Sequence, residues 1–196
     1  MGDELFIGLV GRKKTGKDTF FEIASRELGP GVCERFAFGD LLKKEMARGL
    51  RVSVDLINDN KDAFRAGLQW WGTDFRRNLC WEGYWVQELQ CSPAFQNRFR
   101  SGVKFITDIR FLNEAAFVMD RGGILVRMIR PLPGDDTHQS ESEQDQIACD
   151  YEILNDGPLG LLEANVLNVL PVIVEHARRR FASLQGDVTT PPISKS

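Results

Sequence analysis

The sequence has no excess of basic residues, which argues against a protein that binds polymeric nucleic acid. Its 25 Lys and Arg residues are outnumbered by 28 Asp and Glu residues, and the formal net charge is −3. A protein that holds a nucleic acid through its phosphates usually presents a basic face. We therefore expect no polymeric nucleic-acid partner, although a local basic pocket for a small anion stays open.

Clustered metal ligands and long apolar runs are also missing from the sequence. The four cysteines form no C-x-x-C pair and there are two histidines in all, which excludes a zinc site of the usual spacing. Scattered, reduced thiols suit the cytoplasm. The N-terminus lacks the basic region of a signal peptide. No apolar stretch is predicted to span a membrane, so no membrane partner is expected.

Short apolar runs with strand character alternate with helical patterns along the chain. Strands are predicted at Leu5–Val10, Glu34–Phe38, Val103–Thr107, Gly123–Ile129 and Tyr151–Leu154. Helices are predicted at Lys17–Leu28, from Leu41 to about Leu50 with Asp40 as cap, at several places in Arg51–Asn97, from about Asn113 to Arg121, and at Gly160–Leu184. This alternation predicts an α/β domain over residues 1–185, with a parallel sheet covered by helices on both faces. The Thr-, Pro- and Ser-rich tail at 186–196 is predicted to be disordered.

A phosphate-binding loop directly follows the first predicted strand. Residues 11–17 match G-x-x-x-x-G-K, with a predicted helix directly after them. Gly11 and Gly16 allow the backbone N–H groups to point at phosphate oxygens, and the helix N-terminus adds partial positive charge. Lys17 is expected to reach the β- and γ-phosphates. This pattern predicts ATP as the cofactor.

The residue after Lys17 departs from the usual phosphate loop. A Ser or Thr at that position normally binds Mg²⁺, but here Asp18 occupies it and Thr19 follows. A carboxylate is a hard oxygen ligand, so Asp18 is a candidate Mg²⁺ ligand, directly or through water. The alternative is that Asp18 only caps the helix.

Five segments in order resemble the phage-type deoxynucleoside monophosphate kinases. They are the loop Gly11–Thr19, then Phe36–Lys43, the segment Arg65–Arg77, the D-x-R-F-x-N-E-like segment Ile106–Glu114, and the closing loop Ile153–Gly157. A weaker likeness to dephospho-coenzyme A kinase and phosphomevalonate kinase also exists. The resemblance implies a nucleoside-monophosphate-kinase-like fold, with a helical acceptor region at about 51–97 and a lid at about 130–143. This lid is atypical, because it contains no Arg or Lys after Arg130.

Together, the loop, the strand ends and the resemblance give a set of candidate site residues. The catalytic candidates are Lys17, Asp18, Asp108 and Arg110, and the ATP-binding candidates are Gly11, Lys14, Thr15, Gly16, Lys17, Thr19, Arg130, Asn155 and Gly157. The acceptor-binding candidates are Asp40, Lys43, Arg65, Gln69, Trp70, Thr73, Asp74, Arg76, Arg77 and Trp85. In a helix, Arg65, Gln69 and Thr73 would share one face.

For several of these residues, a purely structural role without a bound ligand stays open as an alternative. Asp108 and Arg110 could form a structural pair at a strand end, although strand ends line the ligand site in this type of sheet. Asn155–Gly157 could be an ordinary turn, and the charges of residues 65–77 could be a solvated helix face.

The sequence therefore predicts an enzyme that transfers a phosphoryl group from ATP, with Mg²⁺, to a small-molecule acceptor, a deoxynucleoside monophosphate. One alternative is a kinase for another small acceptor, similar to dephospho-coenzyme A or phosphomevalonate. Another is a regulator that binds ATP without catalysis. The assembly state stays open, with a homodimer as one candidate.

Overall fold

A five-stranded, all-parallel sheet forms the centre of the protein, whose computed structural model describes residues 4–97, 102–131 and 143–186. The strands are β1 (Glu4–Val10), β2 (Cys33–Phe36), β3 (Gly102–Ile109), β4 (Ile124–Ile129) and β5 (Tyr151–Leu154). Their order across the sheet is β2-β3-β1-β4-β5, so the strand that precedes the phosphate loop is central. Most of the predicted lid (132–142) and the predicted tail from 187 lie outside the described residues.

Helices cover both faces of this sheet. They are α1 (Lys17–Leu28), α2 (Phe38–Leu50), α3 (Val54–Asp59), α4 (Lys61–Gln69), a π-helical segment (Trp70–Cys80), α5 (Tyr84–Cys91), α6 (Pro93–Gln96), α7 (Leu112–Met119) and α8 (Leu159–Gly186). Helices α1 and α8 pack on one face, and α2, α5, α6 and α7 pack on the other. The predicted three-layer α/β fold is confirmed, as is a helical region between residues 51 and 97.

Strand β1 shows why the sheet is buried on both sides. Leu5, Ile7 and Leu9 belong to the core under α1 and α8, whereas Phe6 and Val10 belong to the core on the opposite face. Side chains alternate along a strand, so a strand covered on both faces is apolar at every position. The continuous apolar run in the sequence is explained by this double burial.

Helix α2 begins earlier than predicted, and Asp40 is not its cap. The helix starts at Phe38 after Ala37, so Asp40 lies in its first turn. The capping carboxylate comes from β3 instead, because Asp108 accepts hydrogen bonds from the backbone N–H groups of Phe38 and Gly39, at 2.8 and 2.7 Å. A cap supplied from 70 residues away leaves no local signal in the sequence, which explains the error.

The expectation that no stretch could span a membrane needs correction for α8. This 28-residue helix is long and apolar enough to do so by length and composition alone. However, its apolar side chains have a role in the fold. Leu162, Val166, Leu170 and Ile173 are buried in the core beneath the sheet.

Candidate active site

The phosphate loop forms a tight turn at the carboxyl end of β1. Lys14 and Gly16 have positive φ angles, 65° and 101°, and such backbone conformations direct N–H groups into an anion-binding concavity. The ammonium group of Lys17 donates to the carbonyl oxygens of Gly11 and Arg12, the latter at 2.7 Å. The loop therefore holds its lysine inside the concavity that would receive phosphate.

A cavity of about 340 Å³ opens beside this loop. We name it the donor cavity because it lies where the sequence predicts ATP. It is lined by Lys14, Thr15, Gly16, Lys17, Asp18, Thr19, Arg130, Asn155, Gly157, Leu159 and Leu162. All of the predicted ATP-binding residues except Gly11 contribute to this lining, and Gly11 instead accepts the hydrogen bond from Lys17. Sequence reasoning missed Leu159 and Leu162, which begin the apolar stripe of α8.

The side chain of Asp18 does not cap helix α1, and Mg²⁺ binding by Asp18 stays a prediction. Its side chain is 75% exposed, and its Oδ1 lies 3.3 Å from Nη2 of Arg35. Gly16 is the residue at the helix N-cap, and no side-chain hydrogen bond caps it. Within the described residues, no three His, Cys, Asp or Glu side chains cluster as metal ligands. Mg²⁺ often binds through one or two protein oxygens together with substrate phosphates and water, so Asp18 and Thr19 fit such an ion.

A second cavity of about 340 Å³ opens between the phosphate loop, α2, α4 and the end of β3. We name it the acceptor cavity after the acceptor that the sequence predicts. It is lined by Lys13, Phe38, Gly39, Leu42, Lys43, Lys61, Arg65, Leu68, Gln69, Gly72, Thr73, Trp85, Asp108, Arg110, Phe111 and Glu114. The predicted face of Arg65, Gln69 and Thr73 lines this cavity, although the chain changes helix type after Gln69.

The change to a π-helix lets the chain widen where it passes the cavity. Its wide turns end with the N–H of Trp81 donating to the carbonyl oxygen of Arg76 five residues earlier, at 3.0 Å. The indole N–H of Trp85 donates to the carbonyl oxygen of Gly72, at 2.9 Å. Trp85 is therefore both buried core and cavity wall. Long π-helices are rare, and short ones are frequent at functional sites.

Positive charge predominates in the acceptor cavity. Its lining includes five cationic residues and two carboxylates, and the cations are Lys13, Lys43, Lys61, Arg65 and Arg110. The contributions of Lys13 and Lys61 were missed by sequence reasoning. Lys61 lies four residues before Arg65, so helical spacing could have placed them on the same face.

Both carboxylates of the cavity are engaged by backbone N–H groups. Asp108 accepts hydrogen bonds from the first turn of α2, as described above, and the charge of Arg110 also acts on its carboxylate. Oε2 of Glu114 accepts from the N–H groups of Arg110 and Phe111, at 2.8 and 3.2 Å. Burial raises the pKa of Asp108, and burial raises the pKa of Glu114 to about 8, with the charge of Asp108 adding to the effect.

Two predicted acceptor arginines lie outside the cavity lining. Arg76 donates to Oε1 of Glu45 at 2.5 Å and its guanidinium lies over the ring of Tyr84. Arg77 is 3% exposed, stacks on Phe111 at 3.7 Å, and donates to Oδ1 of Asn113 at 2.8 Å. Both guanidinium groups therefore join elements of the protein to one another.

Three other predicted acceptor residues are also absent from the lining. Trp70 is 52% exposed and stacks on Phe75, with ring centroids 5.5 Å apart. Asp74 is exposed. Asp40 binds Arg35 at 2.7 Å and Lys43 at 3.3 Å. Burial opposes ionisation of Asp40, but these hydrogen bonds and charges prevail and lower its pKa.

Comparison with known proteins gives one relative and a group of solved structures. No protein-family model matches the chain. A protein of Acanthamoeba polyphaga mimivirus with the provisional name deoxynucleotide monophosphate kinase is 29% identical in an alignment 174 positions long, and the match covers 76% of this chain and 86% of the relative.

The chain is also similar to solved shikimate kinases, at 16% identity. One, from Acinetobacter baumannii in complex with shikimate, has a TM-score of 0.46 and covers 87% of this chain and 93% of its own. Another, from Bacteroides thetaiotaomicron, has a TM-score of 0.45 and covers 87% of this chain and 98% of its own.

Proposed function

We propose that this protein is a kinase that transfers a phosphoryl group from ATP to a deoxynucleoside monophosphate, giving the diphosphate. The observation that carries the proposal is the shared use of one phosphate loop by two cavities. Residues 14–19 line the donor cavity, whereas Lys13 lines the acceptor cavity, as does Arg110. A loop that borders both cavities is where a phosphoryl group would pass from donor to acceptor.

The chemistry of the acceptor cavity supports a nucleotide as acceptor. Its five cations suit the phosphate dianion of a monophosphate, since an arginine binds phosphate through two parallel hydrogen bonds. Phe38, Trp85 and Phe111 give the cavity aromatic walls, and such walls suit a flat base. The amide of Gln69 is available to read a base edge. The deoxynucleotide class is further supported by the name of the mimivirus relative.

Phosphoryl transfer requires mainly alignment and positive charge around the transferred group. We assign Lys17 to the β- and γ-phosphates of the donor and Arg110 to the transferred group. Lys13, Lys43 and Arg65 would bind the acceptor phosphate. Bound Mg²⁺ would supply additional charge neutralisation at the phosphates, with Asp18 and Thr19 as its protein-side oxygens.

The proposal is tested by measuring ADP release with ATP, Mg²⁺ and a panel of acceptors. The panel contains the four deoxynucleoside monophosphates, their ribose counterparts, dephospho-coenzyme A, phosphomevalonate and shikimate. We expect turnover with at least one deoxynucleoside monophosphate, and a smaller kcat/KM with its ribose counterpart. Turnover with only a non-nucleotide acceptor would support the proposed kinase activity but contradict the proposed acceptor. No turnover with any acceptor, despite ATP binding, would favour a regulator.

A further inference from the structure

Gln144 lies in the core beneath the phosphate loop and is only 1% exposed. Its Nε2 donates to the carbonyl oxygens of Gly11, at 3.1 Å, and Ile109, at 2.9 Å. Gly11 is the first residue of the phosphate loop, and Ile109 directly precedes Arg110. One side chain therefore connects the ends of the two strands that carry the donor loop and the arginine assigned to the transferred group.

The sheet itself does not hold these two strand ends in a regular ladder. Strands β1 and β3 pair regularly up to Gly8 and Ile106, but the next pair is Val10 with Ile109, so β3 contains one additional residue there. Such a bulge disrupts the ladder locally, and bulges are common beside active sites. The bridge from Gln144 follows directly after this irregularity, where regular pairing has ended.

A buried glutamine is costly at this position, which indicates a specific role. Its Oε1 is buried and has no hydrogen-bond partner among the described residues. An unpaired buried acceptor destabilises the folded state, because it loses its hydrogen bonds to water without replacing them. An apolar side chain would avoid that cost, but it could not bridge two carbonyl oxygens.

We propose that Gln144 is a positioning residue that fixes the donor loop relative to Arg110, so that both act on the same phosphoryl group. This inference rests on the proposed function. Each binding site has its own supports, because the side-chain amide of Asn155 also donates to the carbonyl oxygen of Thr15 in the phosphate loop, and α2 and α4 form the acceptor cavity. Loss of Gln144 should therefore disturb the alignment of the two sites more than binding to either one.

The test uses a bisubstrate analogue in which adenosine and a deoxynucleoside are joined by five phosphates, together with steady-state kinetics. For Gln144→Met we expect kcat and the affinity for the analogue to fall at least tenfold. The dissociation constants of ADP and of the deoxynucleotide alone should stay within threefold of wild type. Calorimetry gives the three affinities without requiring turnover.

The matched control is Arg180→Met, which removes hydrogen bonds to Asp150 and to the carbonyl oxygen of Gly123, away from both cavities. It should lower Tm and leave kcat and the analogue affinity unchanged. If Gln144→Met does not fold, Gln144→Asn serves in its place. Asparagine keeps the amide but is one methylene shorter, so it should show the same losses.

Each outcome of this test is decisive. Unchanged kcat and analogue affinity in a folded Gln144 variant would overturn the positioning role. Failure of both variants to fold would also overturn it, because Gln144 would then serve stability alone. If wild type binds the analogue no more tightly than ADP, the proposed function itself fails and the positioning role fails with it.

Discussion

The side-chain amide of Asn155 donates a hydrogen bond to the carbonyl oxygen of Thr15, 3.0 Å away. Asn155 is only 7% exposed, and its own N–H donates to the carbonyl oxygen of Ile129 at 2.7 Å. A Cβ atom on Gly16 would approach the same amide to 2.7 Å, at a residue whose φ of 101° already favours glycine. The loop after β5 and the phosphate loop therefore fix each other's position.

The first prediction follows from this contact. Asn155→Ala should raise the KM for ATP about tenfold while the acceptor KM stays within twofold, because a lost hydrogen bond of about 1–1.5 kcal/mol loosens only the donor loop. Asn165→Ala is the matched control, since Asn165 donates to the carbonyl oxygen of Leu154, directly before this loop, through a solvent-exposed hydrogen bond. Equal effects of the two variants would show that the Thr15 contact has no special importance.

The second prediction concerns Lys17. Lys17→Met should reduce kcat by at least a thousandfold, because the charge opposite the β- and γ-phosphates is lost. The fold should survive, and Tm should change by only a few degrees. Lys44→Met removes an exposed lysine of α2 and should have no effect on kcat. Near-normal turnover of folded Lys17→Met would show that this loop is not the donor site.

Local sequence signals were sufficient to predict most of the fold. Strand β5 was predicted with its observed bounds, and α1 was predicted from Lys17 to Leu28 as observed. Both elements have strong local patterns: a glycine-rich loop before α1, the glycines 29 and 31 after it, and alternating apolar residues in β5. Most residues that line the donor cavity were among the predicted ATP-binding residues, because six of them, residues 14–19, come from one continuous loop. Their binding of ATP stays a prediction.

The acceptor cavity was harder to predict from the sequence, because the contacts that shape it join residues far apart in the chain. The cap of α2 comes from Asp108, and the bridge between strand ends comes from Gln144, which lies 133 residues from Gly11. The guanidinium groups of Arg76 and Arg77 are directed to Glu45 and Asn113 by tertiary packing. No spacing rule within the chain could distinguish these structural arginines from Arg65, which does line the cavity.

The third prediction concerns Mg²⁺. Asp18→Ala should raise the Mg²⁺ concentration for half-maximal activity at least fivefold, because a hard oxygen ligand is lost. Thr19→Val should have a smaller effect. Arg35→Gln is the control, because Arg35 is the charged partner of Asp18. If Arg35→Gln reproduces the effect of Asp18→Ala, the ion pair and not metal binding explains it.

The fourth prediction compares two arginines of the helical region. Arg65→Ala should raise the acceptor KM about tenfold or more and leave the ATP KM unchanged, because a charge-assisted hydrogen bond to phosphate is worth about 1.5–3 kcal/mol. Arg76→Ala should instead lower Tm with little change in either KM, since Arg76 binds Glu45. The measurements are steady-state kinetics and thermal melts. The opposite pattern would place the acceptor phosphate beside Arg76.

The last prediction concerns the pH dependence of stability. Burial raises the pKa of Glu114 to about 8, from an ordinary value of 4.5, so between these values the folded protein binds a proton that the unfolded chain has lost. Stability from this group therefore falls as pH rises from about 5 to 8, by at most about 1.4 kcal/mol per pH unit. Asp108, whose pKa is also raised by burial, contributes with the same sign. Glu114→Gln should flatten the decline in unfolding free energy measured by urea titration from pH 5 to 8, whereas exposed Glu27→Gln should not. An unchanged slope in Glu114→Gln would show that Glu114 is already ionised in the folded protein at pH 5.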